Sequence, residues 1–90
     1  MFDLEEEIAK GNKAAEILRN EEFQNAFQDL AEYYMEQWQR SEPDEGELRE
    51  RLYIAVGTLS HIKMHLESIM MTGKMATEQI ETVRESRPVH

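Results

Sequence analysis

The sequence predicts an all-α fold, a long antiparallel helical hairpin with coiled-coil-like packing, and three observations carry that expectation. Glycine (4) and proline (2) are scarce among the 90 residues, while helix-forming Ala, Glu, Leu, Gln, Met and Arg are plentiful. One strong interruption, Arg40-Ser41-Glu42-Pro43-Asp44, divides the chain near its middle. Proline there disfavours helix in the residue before it and cannot continue a helix with normal hydrogen bonding. On both sides of the break, apolar residues recur at steps of three and four. A short connection between two long helices makes them antiparallel neighbours.

A first helix is expected over residues 3–19, with Leu4, Ile8, Gly11, Ala15 and Leu18 along one face. The five-residue step from Leu18 to Phe23 breaks phase. This segment is therefore either a separate helix kinked at Asn20, giving a three-helix arrangement, or a less regular part of one long helix. A second helix is expected over 21–40, with Asn20 as N-cap and Glu21 and Glu22 in its first turn. Phe23, Phe27, Leu30, Tyr34 and Trp38 form its apolar face, flanked by Ala26 and Ala31.

Beyond the break, Asp44 and Glu47 have capping-box spacing, which starts a long helix near residue 45. Leu48, Leu52, Ala55, Leu59, Ile62, Leu66, Ile69, Gly73, Ala76, Ile80 and Val83 then alternate steps of four and three. That is a heptad seam over five repeats, the pattern of a left-handed supercoil. Its weak point is Met71-Thr72-Gly73-Lys74. A break or bend at Gly73 is expected after a helix over 45–72, with a shorter one resuming over 77–85. The alternative is that Gly73 stays helical and lets another backbone approach. Folding about residue 42 sets Gly11 near Gly73, Ile8 near Ala76 and Leu18 near Leu66. Residues 86–90 read as a loose tail, and the whole chain as one helical domain.

Composition narrows the functional classes. The net charge of −9 is unevenly spread: fifteen acids and five bases through Glu50 give −10, and four acids and five bases from Arg51 onward give +1. The first half would be repelled by a phosphate backbone, so direct nucleic-acid binding is not expected. No apolar run approaches the roughly 18 residues that cross a bilayer, and the acidic opening lacks the basic region of a secretory signal. With no cysteine, disulfide and thiolate chemistry are absent. The expected setting is the cytoplasm of a cell or a virion, with no membrane partner.

The long helix also carries Tyr53, Ile54, Val56, Met64, Met70, Met71 and Met75 off its a/d positions. An isolated hairpin leaves many of these in water, and exposed apolar clusters mark contact sites. Either the first helix folds back into a three-helix bundle or chains associate, and a homo-oligomer is the expectation. The expected self-association or partner interface is Leu52, Ile54, Val56, Leu59, Ile62, Met64, Leu66, Ile69, Met70, Met71 and Met75.

Catalytic and metal chemistry find little footing. His61 and His65 share a helix face at the four-residue spacing that grips a metal, but no neighbouring acid completes an HExxH set. They are read as interface histidines, whose protonation would weaken association. Glu5-Glu6-Glu7 and Glu21-Glu22 are helix-start charges, and Thr72-Gly73-Lys74 lacks the rest of a phosphate loop. No enzyme, no cofactor and no metal is expected.

Ala14-Ala15-Glu16-Ile17-Leu18, Phe23, Ala26-Phe27, Arg51-Leu52-Tyr53, His65-Leu66-Glu67-Ser68 and Thr72-Gly73-Lys74-Met75-Ala76 resemble a group of small, acidic, helical proteins of tailed bacteriophages. The resemblance covers roughly residues 14–76. It implies a virion-assembly or DNA-packaging component, such as a head protein or a small-terminase-like ring. The chain departs from a small terminase in lacking a helix-turn-helix and a basic DNA-reading helix. The leading expectation is thus a non-enzymatic, self-associating structural or adaptor protein. The alternative is an acidic inhibitor that occupies a basic site on a host nucleic-acid-binding protein through Glu21, Glu22, Asp29, Glu32 and Glu36.

Overall fold

A computed structural model of the chain describes residues 3–86. The fold is all-α, a helical hairpin arrangement of three helices among the described residues: α1 (Leu4–Arg19), α2 (Glu21–Arg40) and α3 (Gly46–Ser86). The chain divides into two compact units. One joins α1, through Leu18, to α3 from His65 onward; the other is Arg19–Met64. Each unit therefore pairs one helix with one stretch of α3, and neither contains a three-helix layer.

Each start is set by a local side chain. Asp3 accepts the Glu6 N–H on its carboxylate (3.2 Å) and the Glu7 N–H on its carbonyl (3.0 Å), opening α1. Asn20 caps α2 as its side-chain oxygen accepts the Phe23 N–H at 2.9 Å. Its extended backbone (φ −68°, ψ 123°) ends α1 there, so the first segment is a separate helix. The start of α3 departs from the Asp44–Glu47 box. The helix begins at Gly46, and it is the Glu45 carboxylate that accepts the Glu42 N–H at 2.9 Å. A turn bond from the Glu45 N–H to the Glu42 carbonyl (2.9 Å) brings these residues together.

In the first unit, α1 lies antiparallel to α3, with Gly11 against Gly73. A Cβ built on Gly11 would sit 2.8 Å from the Gly73 Cα and 3.2 Å from the Ile69 carbonyl oxygen. One on Gly73 would sit 2.8 Å from the Gly11 Cα and 2.9 Å from the Glu7 carbonyl oxygen. The two backbones touch where both side chains are missing, and Ala14 and Ala76, each 2% exposed, complete the contact. This overturns the expected break at Gly73. The glycine stays inside a continuous α3, because the close approach of α1 uses its missing side chain and not its conformational freedom.

In the second unit, α2 lies antiparallel to α3; of its expected apolar face Phe23, Phe27 and Tyr34 are half-buried, while Leu30 and Trp38 are exposed. Phe23 and Phe27 pack with ring centroids 4.5 Å apart. Leu52, 8% exposed, is the buried apolar residue of this unit. The hairpin end is tied by Arg49. Its Nε donates to the Ser41 hydroxyl at 2.8 Å, one terminal nitrogen donates to the Ser41 carbonyl at 3.4 Å, and its guanidinium lies 4.8 Å from the Trp38 ring centroid. Ser41 in turn donates its hydroxyl to the Trp38 carbonyl at 2.6 Å and its N–H to the same oxygen at 3.1 Å.

Two stability predictions follow from these contacts. Gly73→Ala adds helix propensity worth about 0.5–1 kcal/mol, yet forces apart a packed crossing at a cost of about 1–3 kcal/mol. Urea unfolding is expected to show net destabilisation, and a stabilised variant would mean that the helices do not cross there. Arg49→Ala removes one cation–π contact and its hydrogen bonds to Ser41, for an expected loss of about 1–2 kcal/mol. Arg49→Lys is expected to restore less than half of that loss, because an ammonium cannot stack and fork together.

Candidate interaction surface

A helix paired with one neighbour can hide one stripe of its circumference, and the apolar residues of α3 outnumber the positions on that stripe. The residues expected to form an interface accordingly divide into two sets. Leu52 is buried and Val56, Leu59, Leu66, Ile69 and Met70 are half-buried, so these contribute to the seams of their own chain. Ile54, Ile62, Met64, Met71 and Met75 are exposed. Tyr53, also off the seam, is 76% exposed. Leu48, Ile62 and Val83 occupy a/d positions and are exposed all the same.

The deficit of burial is large. Among the described residues no large side chain is fully buried, and the buried apolar residues are Ala14, Leu52 and Ala76. The chain exposes 7626 Å², whereas a folded chain of 90 residues exposes roughly 5,500 Å². Thirteen large hydrophobic side chains stand exposed. Each is already about half covered, so covering four of them completely is worth roughly 3–6 kcal/mol, half of the roughly 1.5–3 kcal/mol each that full burial gives. That is a sizeable share of the stability of a small domain, about 5–15 kcal/mol.

In the Arg19–Met64 unit this surface has shape as well as area. One groove of about 280 Å³ is lined by Tyr34, Met35, Trp38, Leu52, Tyr53 and Val56. Five of these are aromatic or aliphatic hydrocarbons for most of their surface, and Met35 adds an adaptable thioether. A second groove, of about 470 Å³, is lined by Tyr53, Ile54, Val56, Gly57, Thr58 and His61. In the other unit, Leu4, Glu7, Thr72, Met75, Ala76 and Gln79 line a more polar depression. Aromatic Tyr33, with its ring 5.7 Å from that of Tyr34, is exposed beside the first groove's residues in sequence.

The acidic residues of α2 form the opposite kind of face. At 100° per residue, Glu21, Glu22, Asp29, Glu32 and Glu36 fall within about 100° of arc, and all five are exposed. Two have partners on the same helix: Glu32 accepts from the Gln28 amide at 3.1 Å, and Glu36 pairs with Arg40 at 2.6 Å. Such exposed i,i+4 pairs contribute little to stability.

His61 and His65 are both exposed, on one helix. Among the described residues no group of three or more His, Cys, Asp or Glu side chains is placed to hold a metal ion. No helix of the described residues is long and apolar enough to cross a membrane. The Arg49 clamp and the buried Ala14 escape a reading by periodicity, since one is a charged residue just outside the seam and the other a small residue beside it. No protein-family model, no curated protein and no solved structure matches the chain.

Proposed function

We propose that this chain is a non-enzymatic, self-associating helical protein, a structural or adaptor component. It works by burying the exposed apolar side chains of α2 and α3 against other helices. The observation that carries this reading is the imbalance just described: three buried apolar residues against thirteen exposed large ones among the described residues. Side chains such as Tyr53, Ile54, Met64 and Met75 gain most of their transfer free energy only once another surface covers them. The resemblance to small acidic helical proteins of tailed phages supports placing the activity in virion assembly or DNA packaging, in the host cytoplasm or the virion. Contact with DNA itself is no part of the proposal, because the first half of the chain carries −10 from fifteen acids and five bases.

A second reading has one observation in its favour, the acidic arc of Glu21, Glu22, Asp29, Glu32 and Glu36 on α2. It offers five carboxylates on one face to a basic protein surface, in the manner of an inhibitor that occupies a nucleic-acid site.

The two readings separate by mass and by salt. Sedimentation of the purified chain at micromolar concentration is expected to give a multiple of the single-chain mass that persists in high salt, since the contacts are apolar. A stable monomer at high micromolar concentration excludes the first reading. Under the second, capture of a basic partner weakens steeply as ionic strength rises, and a complex indifferent to salt excludes it.

A further inference from the structure

From Leu52 to Ile62, three turns of α3, no Asp, Glu, Lys or Arg occurs, in a chain in which 32% of residues are charged. A surface helix ordinarily carries charge on the side turned away from its neighbour, and this stretch carries none, its polar residues being Thr58, Ser60 and His61. Its own chain covers one side, where Leu52 is buried and Ala55, Val56 and Leu59 are half-buried. On the opposite side Ile54, Gly57, His61 and Met64 recur at steps of three, four and three, within about 80° of arc. Ile54 is 57% and Met64 62% exposed.

Gly57 lies at the centre of this face and leaves a notch in it. The groove over it is lined by α3 alone, with no α2 residue closing it. Glycine weakens a helix relative to alanine, so a helical glycine needs a reason. At Gly11 and Gly73 the reason is a backbone in contact. At Gly57 nothing beyond the backbone of its own helical turns and its chain neighbours lies within 4 Å of a built Cβ.

We propose that this face is where two copies of the chain meet, α3 against α3 and antiparallel, with His61 of each copy seated over Gly57 of the other. The proposal rests on the self-association reading above and adds to it the face, the direction and the register. The hole and its filler lie four residues apart on one face, so a two-fold partner fills both notches at once, as an isologous contact requires. The same register, centred at residue 59, sets Ile54 of each copy against Met64 of the other. Charge selects the occupant as well. Two chains of net charge −9 repel over most of their surface, but a face without charged residues lets them approach and offers a strongly acidic or basic partner nothing to pair with. Through shared Tyr53 and Val56 the notch also runs into the Tyr34–Met35–Trp38 groove, which widens the apolar contact.

The absence of cysteine makes the register directly testable. Ile54→Cys and Met64→Cys chains are mixed and oxidised, with Asn25→Cys, on the acidic face of α2, setting the collisional background. A disulfide between the Ile54→Cys and Met64→Cys chains, well above that background and above either chain with itself, is expected. Self-linking of Ile54→Cys would mean a parallel contact and overturn the proposal. An oligomeric native mass with no linking above background would place the contact elsewhere, overturning this inference while leaving self-association standing. A monomeric native mass removes both. Independently, Gly57→Leu fills the notch and is expected to raise the dissociation constant about tenfold or more with helix content unchanged. Undiminished association of that variant counts against the register.

Discussion

Geometry limits how much of a helix one neighbour can cover, and in this protein each stretch of α3 has one neighbour. With 3.6 residues per turn, a single packed helix reaches the a and d positions and part of e and g. Everything on b, c and f must face something else. In most surface helices those positions are charged, and over the last turns of α3 they are, at Glu78, Glu81 and Glu85. From Tyr53 to Met64, at Tyr53, Ile54, Gly57, Ser60, His61 and Met64, they are not, and charge returns at Glu67 and Lys74. The distribution of charge along α3, more than its total apolar content, is what motivates the second surface proposed there.

The two units satisfy the same constraint by different means. Where α1 meets α3, side chains are removed: Gly11, Ala14, Gly73 and Ala76 bring the backbones together, and attraction comes from many close atom pairs with little area per residue. Where α2 meets α3, side chains are large: Tyr34 and Trp38 lie beside Leu52 and Val56, and Phe27 beside Val56 and Leu59, without enclosing them. The first solution is compact and intolerant of any added methyl group. The second leaves rims of Met35, Tyr53 and Trp38 open, and methionine and aromatic residues are side chains that adapt to and bind a further surface.

Much of this was legible in the residues. The three-four alternation identifies α3 and its seam, Asn20 announces the start of α2, and an antiparallel fold about residue 42 by itself sets Gly11 near Gly73. The misses have physical causes. A glycine near the end of a periodic run looks the same whether it terminates a helix or receives another backbone, and only the position of α1 decides for Gly73. Asp44 had capping-box spacing, but the turn Glu42–Glu45 moved the cap one residue on. Arg49 appears in sequence as one surface base among ten, because its stacking on Trp38 requires the hairpin to have closed already. Of the interface residues chosen by composition, Leu52 is buried within its own chain, whereas Ile54, Ile62, Met64, Met71 and Met75 are exposed. Periodicity separates seam from outer face, but it does not say how tightly a given seam position is covered.

The proposed association rests on the incomplete burial of the lone chain. Association stabilises the folded state by mass action, so stability must then depend on concentration. The most direct measurement is the thermal unfolding midpoint of the wild-type chain across a hundredfold range of protein concentration. A midpoint that climbs steadily with concentration is the predicted result; one that stays fixed over the whole range would contradict the account.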